Sequence, residues 1–391
     1  MYCKEKVRTT IEKHREEIMK LCKYIFENPE MGFKEYKASA ALKTFLENHD
    51  FTVEMGVAGL ETAFRAEKKG KDKGITVGFL CEYDALPNGH SCGHNIIAAS
   101  AVAAATGLAE ALGDYAGNIV VLGTPSEEGS GGGKEILYRA GVMDDVDCAM
   151  MFHAGPKTVI NDILLAIGAY SYTFHGVPAH AGACPEKGRS AVEAVVQMFN
   201  NVNGLRVTVK SDTRIHGIIK QGGVVTNVIP ELTEAQFGIR AASKAELEEL
   251  VERVNNCAKA AALSTGCTVD INEIGIPYMD MISNEVLLQL VEENMKALGE
   301  RIDVRNATVG LGSSDVGNIS QRIPTFQVMI SVDAPAVPHT EAFAKACEGN
   351  RGADIAIRAA KALAMTGVDL FEHPELADKA KEELKEKQTM E

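Results

Sequence analysis

The sequence predicts an α/β fold in which a mostly parallel sheet is flanked by helices and a ferredoxin-like α+β domain is inserted. Three apolar strands, Ile75–Leu80, Asn118–Leu122 and Val146–Phe152, have the character of buried parallel strands, and an Ala-rich helix that begins near Asn95 lies between the first two. Each strand is followed by polar residues that can bind a metal ion. After His153 the pattern changes to alternating strands, and the helix and strand pattern of the first part returns near the C-terminus.

The N-terminal part predicts two helices followed by a hairpin. Apolar residues recur at helical spacing in Lys4–Glu27 and Lys34–Asn48, with an Asn-Pro-Glu-Met-Gly turn between them. Phe51–Met55 and Glu61–Ala66 have the pattern of two short strands. These elements precede the first buried strand of the parallel sheet.

The inserted segment has the order strand, helix, strand, strand, helix, strand, which is that of a ferredoxin-like split unit. The strands are Ala169–Val177, His216–Gln221, Glu231–Ala241 and Cys267–Ile274, and the helices are Arg189–Asn203 and Lys244–Leu263. We therefore expect a main domain in two parts, 1–168 and 278–391, around an inserted domain at 169–277. A half-exposed sheet with a free edge is a natural surface for dimerisation or for covering a site as a lid.

The last part of the chain returns to the pattern of the first. Glu285–Leu298 and Ala342–Ala364 have helical spacing, and Thr325–Ile330 is an apolar strand between them. Ala377–Lys387 is highly charged, which predicts a helix on the surface.

Composition limits the partners of the protein. A formal net charge of −14 over 391 residues argues against binding to nucleic acid or to an anionic membrane. The polar, amphipathic N-terminus lacks the apolar core of a signal peptide, and no apolar run is long enough to span a bilayer, so we expect a cytoplasmic protein. Nine cysteines without CxxC pairs fit a reducing compartment.

The stretch 78–95 carries the strongest chemical signal. The loop after its strand holds Glu82, Asp84, His90, Cys92 and His94 within thirteen positions of one another. A thiolate, imidazoles and carboxylates together suit Zn, Mn, Co or Ni better than Ca or Mg.

Two later strands end in the same kinds of residue. Glu127 and Glu128 follow the second strand in a Gly-rich loop, and His153 follows the third. The carboxyl ends of parallel strands lie along one edge of a sheet, so these loops are expected to converge. The sequence therefore predicts a metal site at this edge.

Eight segments in order along the chain resemble the dimetal metallopeptidases that include aminoacylases, glutamate carboxypeptidases and amidohydrolases of N-acyl amino acids. They are EYDALP, GHSCGHN, GTPSEEGSGGG, MMFHAGP, GVPAHAGACPEKGRSA, GGVVTNVIP, GSSDVGN and PHTEAF. Asn95 follows His94 where the amidohydrolase branch usually has Asp. The combination is most similar to the branch of p-aminobenzoyl-glutamate hydrolase subunits and β-alanyl-lysine, or Xaa-Arg, dipeptidases.

The resemblance implies two divalent metal ions per subunit, Zn or Mn, with Co or Ni also suitable. The implied ligands are Cys92, His94, Glu128, His153 and His339. Cys92 would bridge the ions, because a thiolate between two dications stays deprotonated and reduces their repulsion. Glu82 stands where relatives carry a ligand histidine, and we leave it out of the ligand set.

The resemblance also implies the catalytic roles. Glu127 would act as the general base, taking a proton from metal-activated water and returning it to the leaving amine. Asp84 would orient a ligand imidazole. His180 would donate a hydrogen bond to the developing oxyanion, either within its own subunit or across a dimer.

Four further residues are expected to bind the substrate. Asn227 matches an amide donor of the family, and Arg240 matches an arginine that holds the substrate carboxylate with its two-pronged guanidinium. His216 is a candidate second site residue of the inserted domain. Ser314, with its neighbours Ser313 and Asp315, would line the substrate pocket.

These expectations together indicate a homodimeric metal-dependent hydrolase of dipeptides or N-acyl amino acids. Xaa-Arg or β-alanyl-lysine dipeptides and aminobenzoyl-glutamate are the leading substrates. One alternative is a metal-dependent aminohydrolase, or deaminase, acting on an aryl C–N bond with the same Glu127. Another is a non-catalytic dimeric protein that keeps metal for structure, which loss of Glu127 or of a ligand would favour.

Overall fold

The computed structural model describes residues 2–304 and 312–390. The α-helices in this part are α1 Tyr2–Lys13, α2 Arg15–Glu27, α3 Tyr36–Asn48, α4 His94–Leu112, α5 Gly133–Arg139, α6 Ala191–Leu205, α7 Lys244–Thr265, α8 Glu285–Ala297, α9 Val316–Ser320, α10 Glu341–Ala346, α11 Gly349–Glu372 and α12 Glu375–Met390. The strands are β1 Thr52–Met55, β2 Phe64–Lys69, β3 Asp72–Cys81, β4 Ala116–Gly123, β5 Cys148–Gly155, β6 Ala166–His175, β7 Arg214–Gln221, β8 Leu232–Ala241, β9 Thr268–Tyr278 and β10 Thr325–Ser331.

The chain divides into two compact units. The first contains the chain up to Ile163, a segment that begins at Met281, and the segment from Ser314 onward. The second contains Leu164–Asp280 and a short stretch that ends at Ser313.

The sheet of the first unit has the strand order β1-β2-β4-β3-β5-β10. The pairs β3 with β4, β3 with β5, and β5 with β10 are parallel, whereas β1 and β2 are antiparallel strands at one edge. The mostly parallel sheet predicted from the sequence is thus confirmed. Its central strands are continuous apolar runs because they are buried, as Phe79 and Val121 are.

Helix α4 is the central helix of the first unit. It packs against α11, α1 and α2 and against strands β3, β4 and β5. Small residues allow this close approach, since a Cβ atom at Gly107 would lie 2.4 Å from Ile11. The prediction that no run is long and apolar enough to span a bilayer is corrected here: among the described residues, α4 alone meets both conditions, but 89% of its apolar stretch is buried in the fold. That is the expected character of a core helix.

Two predicted helices are each broken in the structure. Lys4–Glu27 forms α1 and α2, which meet at His14. Ala342–Ala364 falls on α10 and α11, with the left-handed Gly349, at φ 64°, beginning the second. The apolar periodicity continues across both junctions, so the pattern alone did not show the change of direction.

Helix α12 differs from its prediction as a surface helix. Most of its charged residues are exposed, but Ala377, Ala380 and Leu384 are buried, and Glu383 accepts from the N–H groups of Glu285 and Val286. Their spacing of three and four positions gives α12 an apolar stripe against the core.

The second unit contains an antiparallel sheet with the order β7-β8-β6-β9 and the helices α6 and α7. Both helices begin with a Ser-x-x-Glu sequence. The hydroxyl of Ser190 accepts from the N–H of Glu193, and that of Ser243 accepts from the N–H of Glu246. These caps satisfy backbone groups that a helix start leaves unpaired. A lid or dimerisation role for this unit stays a prediction.

Candidate metal centre

The parallel pairing of β4, β3 and β5 brings three sets of polar residues to one edge of the sheet. Glu82 and Asp84 follow β3, and Glu127 and Glu128 follow β4. The predicted third strand ended at Phe152, but β5 continues to Gly155. His153 is therefore a residue of the strand itself, where the sheet fixes its backbone.

The first group of donor atoms belongs to Cys92, His94 and His153, whose ligand atoms lie within 4.8 Å of one another. Cys92 Sγ lies 3.8 Å from Nε2 of His153. His153 Nδ1 lies 2.8 Å from the carbonyl oxygen of Ala154 and donates its proton there, which leaves the Nε2 lone pair for a metal. Burial lowers the pKa of His153 to about 4, so the imidazole is neutral at neutral pH.

The second group contains Cys92, Glu128 and His339, again with ligand atoms within 4.8 Å. His339 Nε2 lies 3.5 Å from Oε1 of Glu128. The backbone of His339 is left-handed, with φ 67°, and its N–H donates to the carbonyl oxygen of Ser91 at 2.8 Å. That bond ties the histidine loop to the loop of Cys92, the residue common to both groups.

A third group joins His94, Glu127 and Glu128. Nε2 of His94 and Oε1 of Glu128 lie 4.0 Å apart. Among the described residues, neither of these two buried atoms has a hydrogen-bond partner. Buried polar atoms normally have a hydrogen-bond partner. Two facing metal-ligating atoms that have none therefore fit a cation between them.

Asp84 holds two members of this third group in place. Its Oδ1 accepts from Nδ1 of His94 at 3.0 Å, and its Oδ2 accepts from the N–H of Glu128 at 2.9 Å. Nε2 of His94 is thereby turned toward the other donors. A carboxylate behind a ligand imidazole is the usual way to fix its tautomer and direction.

The donor set suits divalent transition metals. Burial raises the pKa of the Cys92 thiol, so its thiolate form needs nearby positive charge. Three imidazoles, a thiolate and a carboxylate at one place are the ligands that Zn and its neighbours in the first row prefer. The residues present therefore fit a metal centre.

A buried ion network that the sequence did not reveal lies beside this centre. The Lys134 ammonium pairs with Glu82 and, at 2.5 Å, with Oδ1 of Asp315, and all three side chains are fully buried. The backbone N–H of Lys134 also donates to Oδ2 of Asp315 at 2.9 Å. Burial opposes ionisation of Glu82, but the ammonium outweighs it and holds the pKa of Glu82 below its ordinary value.

This network bears on two expectations. Glu82 has a lysine as its partner, which is consistent with leaving it out of the ligand set. Asp315 was expected to line the pocket but is an ion partner in the interior. Lys134 was missed because a lysine after a Gly-rich loop normally predicts a solvated side chain, and the short helix α5 that carries it has little periodicity.

The carboxylate of Glu127 is grouped with those of Glu82 and Asp315 within 4.8 Å. Burial raises the pKa of Glu127 well above its ordinary value, and the charges of Glu82 and Glu128 raise it further. A carboxyl group with a raised pKa can hold a proton near neutral pH, and cations nearby would favour its ionised form.

The loop before Glu127 is fixed by Glu35, a second buried carboxylate that the sequence did not single out. Oε1 of Glu35 accepts from the N–H of Ser126 at 2.9 Å, and Oε2 accepts from the hydroxyl of Thr62 at 2.8 Å. Ser126 has a left-handed backbone, with φ 58°. Glu35 therefore stabilises a strained residue directly before the two glutamates of the site.

Ser314 is buried, and its hydroxyl accepts from the N–H of Val316 at 3.4 Å, at the start of α9. That contact is a local one, and a substrate role for Ser314 stays a prediction.

The remaining predicted residues belong to the second unit. His180 is exposed, and its Nδ1 accepts from the N–H groups of Gly182 and Ala183 at 3.2 and 3.1 Å, which places its proton on Nε2. Asn227 is also exposed, and its carbonyl oxygen accepts from the N–H of Ala181 at 2.9 Å. The two loops that carry His180 and Asn227 are thus neighbours.

Arg240 and His216 lie on adjacent strands of the second unit. Nη1 of Arg240, on β8, donates to the hydroxyl of Ser313 at 2.8 Å. His216, on β7, is exposed and stands opposite Gly238. Substrate binding by these residues stays a prediction.

The fold and the site together define a metal-dependent hydrolase: nitrogen, oxygen and sulfur ligands meet at the carboxyl edge of a parallel sheet, beside a buried carboxylate. A family model confirms this class. Residues 78–362 match peptidase family M20/M25/M40, and the chain belongs to that family. It is an enzyme that hydrolyses peptide or amide bonds, as the resemblance implied.

Two related proteins show how much of this chain is similar to known hydrolases. The Xaa-Arg dipeptidase of Mus musculus is 37% identical over 397 residues, covering 98% of this chain and 92% of that protein. A p-aminobenzoyl-glutamate hydrolase subunit of Escherichia coli strain K12 is 34% identical, covering 66% of this chain and 58% of that protein.

Solved structures share the fold. An aminobenzoyl-glutamate utilization protein from Klebsiella pneumoniae matches with a TM-score of 0.73 at 18% identity, covering 93% of this chain and 98% of that one. A dinuclear metal-binding peptidase of the M20 family from Bacillus subtilis matches with a TM-score of 0.71 at 19% identity, covering 92% and 99%.

Proposed function

We propose that the centre binds two divalent ions, Zn or Mn, that share Cys92, and that Glu127 is the general base of the hydrolysis. The observation that carries the proposal is the pair of donor groups with Cys92 in common, one completed by His94 and His153, the other by Glu128 and His339. Bound ions would supply Lewis acidity, which polarises a carbonyl oxygen and lowers the pKa of water.

The side chains of this chain would perform the proton transfers. Glu127 accepts a proton from the attacking water and delivers it to the nitrogen of the leaving amine. Asp84 keeps His94 oriented throughout.

A dipeptide with a basic C-terminal residue is the favoured substrate within this proposal. The Mus musculus Xaa-Arg dipeptidase matches nearly the whole chain, whereas the aminobenzoyl-glutamate relative matches two thirds of it. Arg240 would hold the free carboxylate of such a substrate, assisted by Asn227, His216 and Ser314. An aryl C–N bond is less favoured, since the similar proteins include two Xaa-Arg dipeptidases and an N-acetylcysteine deacetylase.

We further propose a homodimer formed through the second unit. Strand β7 is an edge of its sheet and carries the exposed apolar residues Ile218 and Ile219, and the loop after it adds Val224 and Val225. Apolar side chains beside an open strand edge are typical of a surface that pairs with a second copy. His180, which carries its proton on Nε2, would donate it in a hydrogen bond to an oxyanion, within its own subunit or across the dimer.

The test of the base is Glu127→Gln. The substitution keeps the shape of the side chain and removes its ability to take a proton, so hydrolysis should fall by about 10²–10⁴-fold. Metal content, measured by elemental analysis, should stay unchanged. Glu252→Gln, an exposed site on α7, is the matched control. Unchanged turnover in Glu127→Gln would refute the assignment.

The test of the substrate is a hydrolysis panel of β-alanyl-lysine, Xaa-Arg, Xaa-Lys, Xaa-Glu, aminobenzoyl-glutamate and N-acyl amino acids, with Zn and Mn supplied in turn. Faster release from substrates with a basic C-terminal residue is expected. A preference for aminobenzoyl-glutamate would overturn the substrate proposal and leave the metal centre untouched.

A further inference from the structure

We infer a second metal site, separate from the residues of the catalytic centre and formed by His14, Glu17 and His49, which we call the helix-junction site. It would bind one divalent transition-metal ion such as Zn²⁺. Two imidazoles and one carboxylate are a ligand set that zinc uses in proteins, with the fourth position left for water. The site lies within the first unit and does not depend on the proposed catalytic function.

The donor atoms are already close to the spacing that an ion requires. One donor atom from each of the three residues lies within 4.8 Å of the others. Oε2 of Glu17 lies 3.2 Å from Nε2 of His49 and 3.9 Å from Nδ1 of His14. Bonds of about 2.0–2.1 Å in a tetrahedral site place neighbouring ligand atoms roughly 3.4 Å apart, so small side-chain movements suffice.

The carboxylate of Glu110 orients the His14 ring in the way that is usual for a metal-binding histidine. Nε2 of His14 donates to Oε2 of Glu110 at 2.7 Å, so the free lone pair of the neutral ring is on Nδ1, the atom that faces Glu17. Lys13 holds the other oxygen of Glu110 at 2.8 Å. Ligand histidines usually donate their second nitrogen in this way, which fixes the tautomer.

The fold explains why these residues meet. His14 stands at the break between α1 and α2, Glu17 lies in the first turn of α2, and His49 caps the end of α3. Glu110 is in the last turns of α4. The ring of His49 packs against Phe45, with centroids 4.7 Å apart, and meets His14 edge to face at the same distance.

Solvent can reach the helix-junction site. The side chains of His14, Glu17 and His49 are 20%, 43% and 13% exposed. An ion could therefore enter without unfolding and would join three helix ends. Binding to the folded chain alone would stabilise it by mass action.

Equilibrium dialysis of the full chain against Zn²⁺ at neutral pH, followed by elemental analysis, tests the inference. The double variant His14→Gln with His49→Gln should bind one ion fewer per chain than the wild type. Glu110→Ala should weaken binding at this site by about 10–100-fold, because the imidazole loses its orienting partner. His373→Gln is the control, since His373 is exposed, contacts Glu375 at 3.5 Å and belongs to none of the groups of metal-ligating atoms among the described residues. Equal zinc content in the wild type and the double variant would overturn the inference.

A second measurement uses the unaltered protein. Diethyl pyrocarbonate labels accessible imidazoles, and mass spectrometry of peptides reports each histidine separately. Zn²⁺ should reduce labelling of His14 and His49 several-fold and leave His373 unchanged. Equal labelling of His14 and His49 with and without Zn²⁺ would contradict the site even if the variants fail to fold.

Discussion

Replacement of Lys134 by Met tests the buried ion network at its centre. The thioether has nearly the length of the lysine chain but no charge, so Glu82 and Asp315 would remain buried without their ammonium partner. Removing one partner from a buried pair typically costs about 3–5 kcal/mol. We expect the free energy of unfolding to fall by about 3–5 kcal/mol at neutral pH.

Urea unfolding followed by far-UV circular dichroism measures this loss. The variant should regain stability as the pH falls, because protonation of the unpaired carboxyl groups removes their charge. A triple variant, Lys134→Met with Glu82→Gln and Asp315→Asn, should recover much of the loss for the same reason. Lys71→Met is the control, since Lys71 forms an exposed pair with Asp114 and should lose no more than about 1 kcal/mol.

Two results would refute the reasoning. One is a Lys134→Met protein that unfolds within about 0.5 kcal/mol of the wild type, as an ordinary surface substitution does. The other is a triple variant no more stable than the single one, which would mean that uncompensated charge is not the cause.

Three further predictions concern the surroundings of the centre. Asp84→Asn should weaken metal binding by about 10–100-fold in a chelator competition, because an amide oxygen cannot replace both carboxylate contacts; unchanged affinity would contradict this role. Burial raises the pKa of Glu35 from 4.5 to about 7, so the folded chain binds a proton that the unfolded chain has released, and stability should decrease as the pH rises from about 4.5 through 7. Measured as melting temperature against pH, this decrease should be smaller in Glu35→Gln. A variant whose pH profile is identical to that of the wild type would show that Glu35 is not its cause. Gly133→Ala should lower the melting temperature and the metal content, since its Cβ would lie 1.9 Å from a backbone carbonyl oxygen. Gly204→Ala, in open space on α6, is the control and should change neither. Equal effects of the two substitutions would contradict the packing argument.

The sequence by itself determined the parallel sheet and the kinds of residue at its edge. Apolar runs such as Asn118–Leu122 are local patterns, and the direction of parallel strands places the residues that follow them together. The motifs around Cys92, Glu128 and His339 identified the family because family motifs are read from neighbouring residues. Neither inference needed a contact between distant parts of the chain.

Tertiary structure decided how the residues are paired. Lys134 and Asp315 are far apart in sequence, and a lysine predicts solvent unless a buried partner is known. Glu35 accepts a hydrogen bond from the N–H of Ser126, a residue 91 positions away in the sequence. The break at His14 lies inside a continuous helical pattern, so only packing of the helix ends brings His14 and His49 together. Burial and long-range contacts set these partners, and a local pattern contains neither.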